Sequence, residues 1–126
     1  MEKEITRNEL LEINDSLNYL SSKETSIWYQ ILKNKKKVKS LVEETIDFRK
    51  EIIEKFSKRD EAGEKITDEN GNILVENPTE ATEALNRLGN ETVIINLDSA
   101  KISDLGSSKI EARYIEPLLE IMLTEE

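Results

Sequence analysis

Cysteine and histidine are both absent from this 126-residue chain. Without cysteine there is no disulfide and no thiolate metal ligand. Without histidine, no Ser-His or Cys-His pair can form within one chain, nor can a histidine-ligated metal centre. Proline and glycine are sparse, at 2 and 4 residues, so long stretches carry no helix breaker. No apolar run approaches the ~18 residues that a membrane-spanning helix needs. The opening MEKEITRNELL lacks the apolar core of a secretion signal. There is no Gly-x-Gly loop, nucleophile elbow or phosphate loop. These absences point away from an enzyme and from any cofactor. Carboxylate chemistry, with magnesium or as a general acid, is what they leave open.

What is present is charge, unevenly placed. Charged residues make up 36% of the chain and hydrophobic ones 37%, with a net charge of −9. Ser22 to Arg59 holds 11 basic and 6 acidic residues, whereas the remainder holds 7 and 21. A basic segment is thus set in an acidic protein.

Hydrophobic spacing predicts an α+β fold in one domain: a long central helix, shorter helices and a small antiparallel sheet made of a hairpin plus one strand. Thr6-x-x-Glu9 is a capping box that opens a helix over 7–19, with Leu10, Ile13, Leu17 and Leu20 on one face. Ser21-x-x-Glu24 reads as a second capping box, opening a helix over 22–59. Trp28, Ile31, Val38, Val42, Ile52 and Phe56 follow a three-four repeat along it. Glu51 with Lys55, and Glu54 with Lys58, have the spacing of helical ion pairs. Such a helix is about 55 Å long at ~1.5 Å per residue, against about 30–35 Å for a compact domain of this size. The expectation is therefore a homo-oligomer, with those six apolar residues as core or self-association positions.

DEAG at 60–63 and DENG at 68–71 are turn sequences eight residues apart. Asn70-Gly71 suits a type I′ turn, and a hairpin is expected over 64–75. Asp68, Asn70 and Asn72 superficially resemble a calcium loop. An EF-hand numbered from Asp68 would need Gly at 73 and Glu at 79, which are Ile73 and Thr79. Asn77-Pro78-Thr79-Glu80 opens a helix over 78–88, with Asn77 as cap and Gly89 closing it. Thr92–Leu97 is the most β-prone run, in a strand region over 92–105, and Leu105 to Lys109 reads as a loop. Helical spacing over 111–123 is interrupted by Pro117, which predicts a kinked helix.

The densest charge run is Lys33, Lys35, Lys36, Lys37 and Lys39. Lys33, Lys36 and Lys37 form a candidate basic contact patch. With Trp28 and Tyr29 nearby it has the makings of a nucleic-acid platform, but the acidic remainder opposes that partner. Docking of the basic helix on acidic groups of its own chain or of another copy fits the charges better. Acid pairs such as Glu43 with Asp47 sit at solvated helix positions and do not make a metal site.

ITRNELLEINDSLNYLSSKE, a long basic helix, EKFSKRDEAGEKITDENGNI and VIINLDSAKISDLGSSKIEARYIEPLLEIM together give the chain a layout. That layout resembles a family of small uncharacterised proteins of tailed phages and prophages of Gram-positive bacteria. Shared features are a turn like KYGEKDEDG, a hairpin, an acidic β-segment and a closing L..LL helix. Phe56-Ser57 departs from the family's Tyr-Gly. The resemblance implies a phage-encoded protein in the cytoplasm of a bacterial host cell. The function expected is non-enzymatic and works by protein–protein contact, as a structural or assembly accessory that is oligomeric through the long helix. The alternative is a small inhibitor of a host anti-phage defence protein (a restriction, CRISPR or nucleotide-signalling component), and the third a nucleic-acid-binding regulator.

Overall fold

A computed structural model describes residues 2–106 and 109–125. Ser107 and Ser108 of the expected 105–109 loop lie outside the described residues. The fold is α+β, with four helices among those residues, one of them long. In chain order the elements are β1 (Glu2–Thr6), α1 (Arg7–Ser21), α2 (Trp28–Phe56), α3 (Pro78–Asn90), β2 (Thr92–Asn96), β3 (Ala100–Lys101), α4 (Ala112–Ile115) and β4 (Leu123–Thr124). Short 3-10 turns occupy Ile102–Leu105 and Glu116–Leu118.

The Thr6 capping box forms as expected. Glu9 N–H donates to Thr6 Oγ1 and Thr6 N–H donates to Glu9 Oε1, both at 3.1 Å. The residues before it, which the sequence pattern assigned to no element, form a strand. β1 pairs antiparallel with β2, Ile5 facing Val93 and Lys3 facing Ile95. Ile5 and Ile95 are buried, so this ribbon lies on the core.

α1 and α2 form an antiparallel-style helical hairpin around that core. Leu10, Ile13, Leu17 and Leu20 of α1 join Ile31, Val38 and Val42 of α2 in one apolar cluster, which Ile95, Leu97, Leu118, Met122 and Leu123 complete. The second capping box does not form. Ser21 Oγ instead donates back to Asn18 O at 2.7 Å, and Ser22 Oγ to Tyr19 O at 2.7 Å. Leu20 and Ile27 both reach the core, so the chain turns between them and α2 starts at Trp28 rather than at residue 22. Its 29 residues run about 44 Å at ~1.5 Å per residue and are unbroken.

Beyond Thr45 the character of α2 changes. Ile52 and Phe56 are half-buried, not core, and from Ile46 to Glu80 the one buried residue is Ser57. Here the chain forms a tip built on backbone hydrogen bonds. Lys58 N–H donates to Leu74 O, Ile66 N–H to Lys58 O, and Leu74 N–H to Ile66 O, at 2.9, 3.0 and 2.9 Å. The donors are eight residues apart, so the DEAG/DENG spacing is the period of a closed three-segment ring. The expected hairpin is present within it, with Thr67 facing Ile73. Its turn is not type I′. Gly71 has φ +81° while Asn70 does not have positive φ, and Gly71 N–H bonds Asp68 O at 3.0 Å. That is a type I turn followed by a left-handed glycine. Asp68 Oδ1 accepts the N–H groups of Asn70 and Asn72, both at 2.9 Å, and these hold its carboxyl below the usual range. The calcium-like spacing thus makes a turn. Glu54 pairs not with Lys58 but with Arg59 and Lys65, tying the ring to α2.

Three further expectations are corrected. Asn77 is left-handed (φ 48°) and gives no side-chain cap; Pro78 at the first turn starts α3. Gly89 does not close α3 but lies inside it, where a Cβ would come within 2.5 Å of the Asn8 side chain. Absence of that Cβ lets α3 approach α1. The kinked helix over 111–123 is only α4 and a 3-10 turn at Pro117. Glu120 (φ 65°) reverses the chain, and β4 pairs parallel with β3. The spacing of Leu118, Met122 and Leu123 looked helical because all three are buried, but they bury around a turn.

Candidate interaction surface

α2 begins on three large side chains that are not packed away. Trp28 and Tyr29 are each 58% exposed and Leu32 is 43% exposed. Trp28 is therefore not a core residue. Leu20 and Ile27 take the buried places at the turn, and the first turn of α2 projects its aromatics outward. The two rings meet edge to face, with centroids 5.9 Å apart. Ile31, Val38 and Val42 are buried within the chain.

The lysine cluster divides into two groups. Lys33 and Lys37 point to Asp98, at 2.9 Å each. Asn34 places that aspartate. Its buried amide donates to Asp98 O at 3.0 Å and accepts Asp98 N–H at 2.7 Å, as a strand neighbour would. Lys37 and then Lys33 hold the Asp98 carboxyl below the usual carboxylate range, and Asp98 in turn raises Lys33. Docking of the basic helix on acid of its own chain is thus present at this point.

Lys35, Lys36 and Lys39 lie on the opposite flank. With Leu32 and Val42 of α2 and Asn14 and Asn18 of α1 they line a groove of about 380 Å³. Its floor is apolar and its rim carries the ammonium groups. Lys35 Nζ reaches Ser21 Oγ at 3.5 Å and Lys39 Nζ lies 4.0 Å from Glu43. Trp28, Leu32, Lys35, Lys39, Glu43, Ile46, Lys50 and Ile53 recur at three- and four-residue steps and so share one side of the helix. Of the candidate residues, Trp28 and Lys36 fall on this surface, Lys33 and Lys37 on the Asp98 flank, and Ile52 and Phe56 at the far end.

A buried cation was missed by the pattern of the sequence. Arg7 is 4% exposed and lies where α1, α2 and α3 converge. Its guanidinium donates to Thr45 Oγ1 at 2.8 Å, to Glu44 at 2.6 Å and to Glu91 at 2.9 Å, and sits over the Phe48 ring. Burial works against the charge, but Glu44 and Glu91 outweigh it and hold the proton more firmly than usual. A signal existed: a cation in the first turn of a helix opposes the macrodipole, so Arg7 needed anions from elsewhere. No group of three or more acids able to hold a metal ion occurs among the described residues.

Comparison of the chain with protein-family models, curated proteins and solved structures finds no match.

Proposed function

We propose that this is a non-enzymatic protein that acts by contact with other proteins, and that it self-associates through the exposed stripe of α2. The single observation that carries the reading is the side-by-side exposure of Trp28, Tyr29 and Leu32 at the end of an apolar groove. Exposed apolar clusters of this kind mark interaction surfaces more than isolated apolar residues do. The likeness in layout to phage proteins supports a structural or assembly accessory of a phage.

A second copy suits the stripe. Two α2 helices packed antiparallel about Lys39 bring Leu32 of one copy to Ile46 of the other. They also bring Lys35 to Glu43, and Trp28 to Lys50. The pairs are apolar, oppositely charged and cation–π in turn. Nucleic acid suits it less well, because Asp98 engages two of the five clustered lysines. Light scattering tests the reading. The wild-type chain is expected to have the mass of a dimer at micromolar concentration, and Leu32→Glu and Ile46→Glu the mass of a monomer with unchanged helix content. A monomeric wild-type chain at every concentration overturns it. Trp28 is the sole tryptophan, so its emission reports occupation of the stripe directly. Ile31 and Val42 are unsuitable for this test, since charge there would unfold the monomer itself.

A further inference from the structure

The β1–β2 ribbon has two strands and therefore two edges. Arg7 N–H donates to Glu91 O at 2.9 Å, which sets the phase of its ladder. Bonded pairs alternate along an antiparallel ladder, so Ile5 with Val93 and Lys3 with Ile95 are bonded pairs. Thr6 with Thr92 and Glu4 with Ile94 lie between them, and their main-chain groups point away from the ribbon. Among the described residues nothing bonds the N–H or C=O of Ile94. Buried main-chain groups are nearly always paired, so these two face solvent. The Ile94 side chain stands on the outer face of the ribbon. It is 62% exposed, more than any other large apolar side chain among the described residues.

The two edges differ in charge. Glu2 and Glu4 are exposed along the β1 edge, where two copies meeting would set Glu4 against Glu4. β2, with the sequence TVIIN, carries no charge, no proline and no bulge, the devices that blunt an edge. Its pattern is also symmetric about Ile94, with apolar Val93 and Ile95 on either side and polar Thr92 and Asn96 at the ends. A twofold axis through Ile94, normal to the ribbon, therefore sets Ile94 against Ile94, Val93 against Ile95 and Thr92 against Asn96. Each of these pairs lies on one face of the pleat, so the core face stays apolar across the join. The acids that bound the strand are answered within the chain, Glu91 by Arg7 and Asp98 by Lys33 and Lys37.

We infer that β2 pairs antiparallel with β2 of a second copy about Ile94, joining two ribbons into one four-stranded sheet. Ile94 N–H of each copy donates to Ile94 C=O of the other, as in strand addition at an open edge. This contact is separate from the α2 stripe and does not rest on it. One twofold contact closes a dimer, whereas two different ones on the same chain link copies into larger assemblies. A single short strand pair lies below the roughly 1,000 Å² of a stable interface, so its dissociation constant is expected at about 0.1–1 mM.

Sedimentation equilibrium of the full chain carrying Leu32→Glu is the test, because that change removes the stripe and leaves the edge to report alone. Reversible monomer–dimer association is expected at several hundred micromolar. It should tighten as salt is raised, because each copy of the wild-type chain carries −9 and salt screens the repulsion. In the dimer the amides of Ile94 and Thr92 should gain protection from hydrogen exchange, while that of Ile5 keeps its own. Adding Ile94→Lys or Ile94→Glu should weaken association about tenfold, since like charges then face each other, and an equal mixture of the two variants should restore it. Residue 94 meets itself only across this twofold, so restoration identifies the contact. Position 94 is exposed, and both variants are expected to keep the circular dichroism spectrum of the parent chain. Three outcomes overturn the proposal. They are a parent chain that stays monomeric at every concentration, association that both charged variants leave unchanged, and a mixture no stronger than either variant alone. The first would assign the edge to an extended segment of a different protein.

Discussion

The two ends of α2 are built on different physics. Its first half, up to Thr45, is buried against α1 and the β1–β2 ribbon, through Ile31, Val38 and Val42. Its second half leads into a tip where turn chemistry and backbone hydrogen bonds replace packing. Between Ile46 and Glu80 nothing but Ser57 is buried, while Lys58, Ile66 and Leu74 close a ring of main-chain bonds. Hydrophobic burial is the larger favourable term in folding, and each hydrogen bond adds a net ~0.5–1.5 kcal/mol. The core end therefore sets global stability, and the tip opens locally at lower cost. One continuous helix thus joins a cooperative unit to a weaker one.

The strongest way to break this comparison is a cavity in the core. Leu17 is fully buried in α1. Leu17→Ala is expected to lower stability by about 2–5 kcal/mol in chemical denaturation, with loss of signal from α1 and α2 together. Hydrogen exchange in the variant should speed up across α1 and the first half of α2. Exchange at Lys58, Ile66 and Leu74 should hardly change, because those amides already exchange by local opening. Equal acceleration in both regions would show that the tip is part of the same cooperative unit.

A glycine in the tip gives a smaller effect. Gly71 has φ +81° and open space around the position of a Cβ. Gly71→Ala therefore meets no clash and suffers from backbone conformation alone, about 1–2 kcal/mol. The loss should appear as faster exchange at Asn72 and Leu74, with the global denaturation midpoint nearly unmoved. A fall in the midpoint as large as that of Leu17→Ala would reverse the ranking of the two ends.

The same contrast explains what could be read in the sequence. The capping box at Thr6, the α1 stripe, the long helix and the eight-residue turn spacing are local signals, and each produced its element. Failures came where distant partners decide. β1 is a strand because β2 pairs with it, and EKEIT preceding a cap gave little sign of that. Ser21 is the exception, a local failure: it has the residue type of a cap, but its hydroxyl donates to Asn18 O three residues back. Leu118, Met122 and Leu123 have helical spacing, yet parallel pairing of β3 with β4 fixes their path. Trp28 was expected as a core or self-association position by its place in a repeat; the turn before it sets it on the surface. The exposed stripe was legible as lysines and apolar residues, but which lysines engage an acid depends on Asp98, 61 residues beyond Lys37.

The finest distinction concerns acid. Asp98 links the core end of α2 to the segment after β2, and its carboxyl is held low chiefly by Lys37 and then Lys33. A depressed folded value means that the carboxylate form stabilises the native state. That contribution is complete above the ordinary aspartate value of about 3.9 and disappears as pH falls through the lower folded value. Lys33 and Lys37 are 46% and 39% exposed, so solvent and salt screen the pair and the effect is the smallest of the three. Asp98→Asn keeps the backbone bonds to Asn34 and removes the charge. Its stability should fall less than that of the wild-type chain as pH is lowered from about 6 through the ordinary aspartate value of about 3.9 and below it. Added salt should narrow the difference at pH 6. Matching acid profiles in the two chains would assign the acid sensitivity to Asp68 and Glu54 in the tip, where hydrogen exchange at Asn70 and Asn72 would then rise first.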